Sequence, residues 1–383
     1  MPTRLLITLA FPPDVGGMQS FAYQRCLRAG ANHLVVLAPQ TKGWQAFDRR
    51  QPVRICRWSA ALRNVAGIKR VLQFVFPLLY ALRLHRQKRF DVIECWQPLP
   101  FGLIGLIFKA LYGVPFIVWS HGNDLSRPQR YPFARFFLSR VLAGAHLVVA
   151  NSQSTKGELL ALGTQPDKIR VLNPPVDTQR FRPDIDPSAI VRKHGLEGKR
   201  VILTVARLVQ VKGIDMVIKA LPKVLETIPN TVYLVVGDGP LRAELEHLAG
   251  TSRVRDNVIF VGAVDYLSDD LPRYYAACDV FVLVSRSPQQ GRERERFGMV
   301  YLEAGACGKT VIGTRGEGGA EAIEDGVTGL LVNSEDLDEV TQAIIRVLTD
   351  VELAKRLGEN AGVRMTGMKE WASAAGILLR ERQ

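Results

Sequence analysis

Short apolar runs alternate with helical stretches along this chain of 383 residues, and the alternation limits the folds that it can adopt. The runs are rich in Val, Ile and Leu and form two series that meet near residue 197. The first series reads RLLITLAF, HLVVLAP, DVIECW, FIVWSH and AHLVVAN, and the second reads RVILTVAR, VYLVVGDG, VIFVGA, VFVLVSR and TVIGTR. Apolar strands that are each followed by a helix are typical of parallel sheets buried on both faces. We therefore predict two doubly wound α/β domains, with functional groups near the carboxyl ends of their strands.

The boundary between the two predicted domains falls in residues 175–200, which are rich in proline and charged residues. We expect an N-terminal domain over residues 1–178 and a C-terminal domain over residues 197–364. The last segment, from about residue 365 to residue 383, is predicted to return and pack on the first domain.

Composition argues against several kinds of site and segment. The five cysteines are scattered and form no C-x-x-C, and the six histidines show no metal-ligand spacing, so we expect no disulfide framework and no metal. The apolar start at residues 5–11 is too short for a signal peptide and is interpreted as a buried strand. Residues 98–119 are apolar enough to span a bilayer, but their prolines and the break at YGVP favour a buried helix followed by a strand.

The positive charge of the chain is concentrated in its first half. Residues 1–180 contain 24 Lys and Arg against 8 Asp and Glu, whereas the other 203 residues contain 26 against 29. This asymmetry predicts an anionic partner for the N-terminal domain. Residues 68–90 combine large apolar side chains with basic clusters at both ends, as helices in a membrane interface do, although an ordinary core helix with a basic solvent face accounts for them equally well. Because nucleic-acid readers more often interleave aromatic and basic residues, we expect an anionic membrane surface and no nucleic acid.

Candidate functional residues lie at strand-to-helix turns. Gly16 and Gly17 follow the first strand and open a helix, where their backbone can approach a phosphate closely; a plain tight turn explains them equally well. Arg207 and Lys212, in VARLVQVKG, can converge on a diphosphate or be two surface cations. His121, in SHGND, ends a strand of the first half, where functional groups collect.

Two glutamates, Glu295 and Glu303, stand eight positions apart in ERFGMVYLE. Eight residues make a little over two helical turns, so both side chains can lie near one face. Gly298 indicates that Glu295 sits on the loop that enters the helix, and such a pair would line a path suited to a long polar ligand. A solvated helix face with two surface carboxylates is the alternative.

These residues together resemble the pattern of the retaining glycosyltransferases of family 4, which have the GT-B fold. The matching pieces run from about residue 12 to residue 332 and read, in order, GGMQ, HGND, NS, ARLVQVKG, VGDGP, YYAACDVFVLVS, ERFGMVYLEAGACG and GGAEAIEDGVTGLLV. The resemblance implies two Rossmann-like domains facing across a cleft, the N-terminal one for the acceptor and the C-terminal one for a nucleotide-sugar donor.

The resemblance also implies roles for five side chains. Glu303 would bind the ribose hydroxyls of the donor, and Glu295 would contact its sugar ring. Arg207 and Lys212 would neutralise the diphosphate as charge builds on it. His121 would lie beside the sugar, near its C6 side.

Backbone groups complete the implied donor site. Amides at the start of the helix after Glu295 would face the leaving diphosphate, and the glycine pair of the first domain would close over it. Backbone groups after a strand of the second domain would receive the base. In chain order these positions are Gly16, Gly17, Gly262, Ala263, Val264, Phe297, Gly298 and Met299.

The chemistry implied by the resemblance is metal-independent. Cations and a helix end can stabilise a departing nucleoside diphosphate without a metal. The Asp-x-Asp at residues 184–186 lies between prolines in the linker and is interpreted as chance. Retention of configuration is expected to follow front-face attack, and no nucleophilic triad or pair is apparent. No cofactor is expected beyond the co-substrate, a nucleotide-sugar of the GDP-mannose or UDP-glucose type.

One segment departs from the family pattern. SRSPQQGRERERFG, residues 285–298, is longer and more charged than the usual approach to the first glutamate, and Arg296 replaces its glycine. Glu293 is a rival for Glu295, but only Glu295 leaves seven residues before Glu303. The long loop and the segments FPPDVGGMQSF and GMVYLEAGACG look most like the corresponding segments of family members that mannosylate phosphatidylinositol lipids.

We therefore predict a hexosyltransferase that moves mannose or glucose from a nucleotide-sugar to a lipid-linked or envelope glycan. It is expected to be cytoplasmic, peripheral on the inner face of the cytoplasmic membrane. A nucleotide-sugar epimerase or another enzyme of the same fold is one alternative. A non-catalytic protein that binds membrane surfaces is the other, and the intact Arg207, Lys212, Glu295 and Glu303 count against it.

Overall fold

The computed structural model describes residues 2–14, 16–28, 33–59, 69–126, 128–286, 297–316 and 318–367. The chain divides into two compact units, an N-terminal unit that ends at Pro174 and a C-terminal unit that begins at Pro175. This division coincides with the start of the proline-rich segment 175–200. The expected return of residues 365–383 to the first domain concerns a segment that lies almost wholly outside the described residues.

The described residues of the N-terminal unit form a parallel sheet of seven strands in the order β3-β2-β1-β4-β5-β6-β7. The strands are β1 (Arg4–Ile7), β2 (Leu34–Pro39), β3 (Arg54–Trp58), β4 (Val92–Cys95), β5 (Phe116–Ser120), β6 (Leu147–Ala150) and β7 (Ile169–Val171). The helices are α1 (Gly17–Arg28), α2 (Trp44–Asp48), α3 (Lys69–Gln87), α4 (Phe101–Tyr112), α5 (Asn123–Ser126), α6 (Pro132–Gly144) and α7 (Gln153–Ala161). The strand order reverses between β1 and β4, the place where ligands bind in doubly wound sheets.

The described residues of the C-terminal unit form a second parallel sheet, of six strands in the order β10-β9-β8-β11-β12-β13. The strands are β8 (Arg200–Val205), β9 (Thr231–Val236), β10 (Val258–Gly262), β11 (Val280–Val282), β12 (Thr310–Thr314) and β13 (Gly329–Val332). The helices are α8 (Ser188–His194), α9 (Ile214–Thr227), α10 (Arg242–Thr251), α11 (Asp270–Ala277), α12 (Met299–Ala306), α13 (Gly319–Ala322), α14 (Leu337–Thr349) and α15 (Val351–Gly367). Here the order reverses between β8 and β11, which places the expected ligand edge at their carboxyl ends.

Both faces of the second sheet are buried, as its continuous apolar strands predict. Along β8, Ile202 packs into the core that contains α9 and α14, whereas Val201 and Leu203 pack into the core that contains α11 and α12. Neighbouring strands alternate in the same way. The prediction of two doubly wound α/β domains is confirmed, because each sheet is parallel throughout and carries helices between its strands.

Three strands at sheet edges are absent from the apolar runs that predicted the others. They are β3, with the sequence RICRW, the three-residue β7, and β13, with the sequence GLLV. An edge strand has one strand neighbour and is less buried, so it needs neither length nor uniform apolarity. Short or partly polar edge strands therefore leave a weak signal in the sequence.

The apolar stretch 98–119 forms a buried helix and then a strand, as predicted. Helix α4 buries Phe101, Ile104 and Phe108, ends at Gly113 in a left-handed conformation, and is followed by β5. Among the described residues, none of the helices is both long enough and apolar enough to cross a bilayer.

A buried ionic cluster fastens α1 to the first sheet. Glu94 on β4 accepts hydrogen bonds from Arg4 at 3.3 Å, from Arg25 at 2.9 Å and from the Trp119 indole at 3.2 Å. The Glu94 and Arg25 side chains are almost fully buried, so removing one partner would leave an uncompensated charge in the core. Because Arg25 lies on α1, the cluster holds the helix that begins at Gly17.

Candidate functional site

Arg207 and Lys212 lie on one short loop that leaves β8 and enters α9. Leu208 is fully buried between them, and its amide donates to the Asp238 carbonyl at 3.0 Å. The Arg286 amide donates to the Val211 carbonyl at 2.9 Å, so this loop is tied to the chain leaving β11. The structure therefore holds both predicted cations at the carboxyl edge of the second sheet.

Gly213 shows how closely this loop approaches β11. Its φ of 63° is left-handed, and a Cβ added there would lie 2.0 Å from the Val284 carbonyl oxygen. Any other residue would push the loop away from the strand, and would carry Lys212 with it.

Helix α12 begins at the same edge. Gly298 precedes it in a left-handed conformation, and a Cβ at Gly298 would lie 2.4 Å from the ring of Tyr301. The Tyr301 hydroxyl donates to the Leu283 carbonyl at the end of β11. Within the described residues no side chain caps α12 at its N-terminus, so its first amides remain available to an anion. Phe297 is buried beside this turn, and Met299 is half-buried.

Glu303 is buried, with 4% of its surface exposed, on α12. The Tyr275 hydroxyl on α11 donates a hydrogen bond of 2.6 Å to Glu303 Oε2. Burial raises the pKa of the Glu303 carboxyl to about 7, against the opposing effects of this hydrogen bond and of the Arg180 charge. Burial also raises the pKa of Tyr275 well above its usual value, so the phenol remains a donor. The alternative interpretation, that Glu303 is a surface carboxylate on a solvated helix face, is thus excluded.

Arg180 and Tyr266, which the sequence analysis did not identify, lie at the Glu303 end of the site. The Arg180 guanidinium stacks on Tyr266 at 5.0 Å from the ring centroid and donates to the Ser268 carbonyl at 2.6 Å. These contacts hold the loop after β10; of the predicted base-binding positions, Gly262 ends that strand, and Ala263 and Val264 begin the loop. No motif indicated Arg180, because it lies in the linker far from the other site residues along the chain.

The predicted residues of the N-terminal unit lie at the carboxyl ends of its own strands. Gly16 precedes α1 and Gly17 begins it, as predicted. His121 directly follows β5, is 6% exposed, and its Nε2 lies 3.0 Å from the Trp96 carbonyl. That contact makes Nε2 the donor and leaves Nδ1 as an acceptor. Burial lowers the pKa of His121 to about 4, so the ring is neutral at physiological pH.

The remaining predictions concern Glu295 and metal ligands. Glu295 and its rival Glu293 lie outside the described residues. In the Asp-x-Asp of the linker, Asp184 pairs with Arg182 at 3.2 Å and Asp186 accepts from the Ser188 amide and hydroxyl.

Two family profiles match the chain, one in each half. The profile described as Glycosyltransferase Family 4 matches residues 15–180, and the profile described as Glycosyl transferases group 1 matches residues 187–364.

Known proteins match nearly the whole chain. A protein from Mycolicibacterium smegmatis is 31% identical over 92% of this chain and 91% of its own length. It is described as a GDP-mannose-dependent alpha-(1-6)-phosphatidylinositol monomannoside mannosyltransferase. A protein of the same description from Mycobacterium tuberculosis is 30% identical over 99% of this chain and 97% of its own length. Among solved structures, Anabaena Alr3699/HepE in complex with UDP-glucose matches 100% of both chains with a TM-score of 0.82 at 19% identity, which supports the fold alone.

Proposed function

The chain belongs to glycosyltransferase family 4, and on this premise we propose that it transfers mannose from GDP-mannose to a phosphatidylinositol-based or similar lipid-linked acceptor. The family membership makes it a hexosyltransferase of the GT-B fold. The descriptions of its relatives from two mycobacterial species support the choice of GDP-mannose over UDP-glucose.

The buried Glu303 carboxylate carries the proposal. Its Oε2 is held by Tyr275, and among the described residues its Oε1 receives no hydrogen bond. This oxygen can accept a hydrogen bond from a ligand, and the vicinal hydroxyls of a ribose are donors of the right kind. The carboxylate lies on the helix whose open first turn faces the carboxyl edge of the sheet, so a nucleotide bound here would extend from Glu303 toward that turn.

The part of the proposed donor site that would bind the diphosphate lies at the same edge of the sheet. The open amides of α12 and the cations Arg207 and Lys212 would stabilise negative charge as the bond to the sugar breaks. The neutral His121 would accept a hydrogen bond from a sugar hydroxyl through Nδ1. We propose that no protein nucleophile takes part, that the reaction retains configuration by front-face attack, and that it needs no metal ion or cofactor.

The acceptor places the enzyme at an anionic membrane surface, and helix α6 offers the contact. Tyr131, Phe133 and Phe136 at its start are 54%, 76% and 58% exposed. Arg130, Arg135 and Arg140 lie in the same segment, and the sequence contains no acidic residue between Asp124 and Glu158. Exposed aromatic side chains among arginines suit the boundary between lipid headgroups and acyl chains.

A groove beside α6 supports the same proposal. It has a volume of about 530 Å³ and is lined by Arg130 and Arg135 together with the apolar Leu138, Leu142 and Leu162. A lining that combines cationic and apolar side chains matches the two parts of a phospholipid. Helix α3, for which the sequence left a membrane role and a core role equally open, packs Ala81 and Leu84 into the core and exposes Val71 and Leu79.

Donor turnover tests the proposal. The purified protein is offered GDP-mannose, UDP-glucose, UDP-galactose or UDP-N-acetylglucosamine with a bacterial lipid extract, and release of nucleoside diphosphate is followed. We expect release from GDP-mannose and transfer of label to lipid. Glu303→Gln should lower kcat/KM by roughly 30- to 150-fold, because it removes charge-assisted hydrogen bonds to the ribose. The matched control is Glu335→Gln, an exposed carboxylate. Full activity of Glu303→Gln would contradict the site.

A further inference from the structure

We infer that Tyr275 is a positioning residue for the donor site, which holds Glu303 in one orientation and keeps it an acceptor for the ribose. This inference rests on the proposed function, because it gives Tyr275 a role through Glu303. Tyr275 does not need to touch the donor. The matching piece YYAACDVFVLVS contains Tyr275 but gave it no role, since it lies 28 residues before Glu303 and on a different helix.

The ring of Tyr275 has little freedom to move. It is fully buried and packs edge-on against Phe181 at 5.6 Å and beside Phe281 at 5.7 Å between ring centroids. Its hydroxyl therefore points at Glu303 from a fixed position, and the bond of 2.6 Å has the length expected for a hydroxyl that donates to a carboxylate. A fixed donor on Oε2 leaves Oε1 in a defined place for a ligand.

The same hydrogen bond opposes the effect of burial on the pKa of Glu303. A phenol that donates to the carboxylate favours the charged form, whereas burial favours the neutral form. The two effects leave the pKa of Glu303 at about 7. The groups that face the pair are Arg180, whose charge also favours the carboxylate, together with Tyr266 and Cys307. Burial raises the pKa of the Cys307 thiol to about 12, so it stays neutral at physiological pH.

A pH dependence of donor binding follows. Above pH 7 Glu303 is a carboxylate that accepts from the ribose, and below pH 7 it gains a proton and loses part of that capacity. Affinity for a nucleoside diphosphate should therefore fall as the pH is lowered through about 7. Without the Tyr275 hydroxyl the carboxylate is less favoured, so the midpoint should move to higher pH by roughly one unit.

The adjacent tyrosine provides a matched control. Tyr274 is also fully buried on α11, and its hydroxyl bonds to His194 Nε2 at 3.0 Å rather than to Glu303. Tyr275→Phe and Tyr274→Phe each remove one buried hydroxyl from the same helix. A general loss of packing or stability would affect both variants, whereas the proposed role affects only Tyr275→Phe.

The experiment measures binding of GDP, and of UDP in parallel, to the full-length protein between pH 5.5 and 8.5 by calorimetry, with 2′-deoxy nucleotides as the second probe. For Tyr275→Phe we expect the pH midpoint to rise by roughly one unit and affinity at pH 7 to fall roughly fivefold. Tyr274→Phe should leave the midpoint in place. Replacing Tyr275 by 3-fluorotyrosine, a stronger donor, should move the midpoint to lower pH, which keeps the test available if Tyr275→Phe does not fold.

Each outcome separates the two proposals. If Glu303→Gln binds nucleotide and distinguishes ribose from 2′-deoxyribose as the wild type does, the proposed role of Glu303 fails. If Glu303→Gln loses that distinction while Tyr275→Phe keeps the wild-type midpoint, only the role of Tyr275 is overturned. An equal shift in Tyr274→Phe would also overturn it.

Discussion

Burying a carboxyl group costs free energy unless hydrogen bonds or nearby charges compensate for the lost water. Glu303 receives one hydrogen bond, from Tyr275, and the influence of Arg180, and its pKa is nevertheless raised to about 7 by burial. A buried carboxylate with few hydrogen bonds lowers the stability of the fold, and a ligand that donates the missing hydrogen bonds gains affinity from it. The site thus has lower folding stability and higher affinity for its ligand.

The effect of Glu303 on folding stability depends on pH in a direction that can be tested. Between pH 4.5 and about 7 the folded protein keeps a proton on Glu303 that the unfolded chain has lost, so stability falls as the pH rises through this window. Glu303→Gln removes this dependence. We expect the variant to be more stable than the wild type at pH 8, by on the order of 3 kcal/mol, with the difference shrinking toward pH 4.5.

Thermal unfolding at pH 5 and pH 8 checks the difference. Glu335→Gln, which alters an exposed carboxylate of the same unit, should show little of it. A Glu303→Gln protein that is less stable than the wild type at both pH values would show that the carboxylate is better compensated than its contacts indicate.

At the scale of elements, α6 differs from the other helices of the N-terminal unit in what it exposes. Phe133 packs on Phe137 at 4.7 Å between ring centroids, and Phe136 packs on Phe137 at 5.5 Å, so the aromatic rings form one cluster. The buried side of the same helix contributes Leu138, Val141 and Leu142 to the core. The helix therefore has two apolar sides, and only one of them is covered by the unit itself.

The exposed cluster predicts how the protein binds vesicles. Changing both Phe133 and Phe136 to Ser should weaken binding to vesicles with anionic phospholipid by roughly 10- to 100-fold, because each ring loses part of its apolar burial. Binding should also weaken with added salt, which screens the arginines. Co-sedimentation with vesicles measures both effects.

The control for this variant is Val363→Ser, since Val363 is 71% exposed on α15 of the C-terminal unit. It should bind vesicles as the wild type does. Equal binding of the double Phe variant, or equal binding of the wild type to vesicles without anionic lipid, would contradict the assignment of α6.

The signals of individual elements differed in strength for a physical reason. Interior strands such as β8 and β9 were predictable because burial on both faces demands apolar residues throughout. The membrane contact proposed for α6 was not predictable, because the apolar residues that pack inward and those that face solvent are indistinguishable along a helix that is apolar on two sides.

At the scale of the whole molecule, the two units have separate hydrophobic cores. Phe108 belongs to a core of the N-terminal unit, and Ile218 belongs to a core of the C-terminal unit. Both side chains are fully buried, so truncating either to Ala should cost about 3 kcal/mol or more. We expect scanning calorimetry to resolve two transitions, with Phe108→Ala lowering one and Ile218→Ala lowering the other. Adding a nucleoside diphosphate should raise mainly the transition lowered by Ile218→Ala.

A single transition that both variants lower equally would show that the units unfold together. A nucleotide that raises only the transition lowered by Phe108→Ala would place the donor site in the N-terminal unit and contradict the assignment of Arg207, Lys212 and Glu303.

Local sequence patterns were enough to predict the two parallel sheets and the turns at which Gly16, Arg207 and His121 lie. Strands buried on both faces need continuous apolar residues, and the residues that follow them are placed at the carboxyl edge by chain direction alone. The burial of Glu303 against Tyr275, by contrast, became evident from the packing of α11 and α12 in the folded chain. Their contact joins two helices, and contacts between elements depend on packing, to which local sequence patterns do not respond.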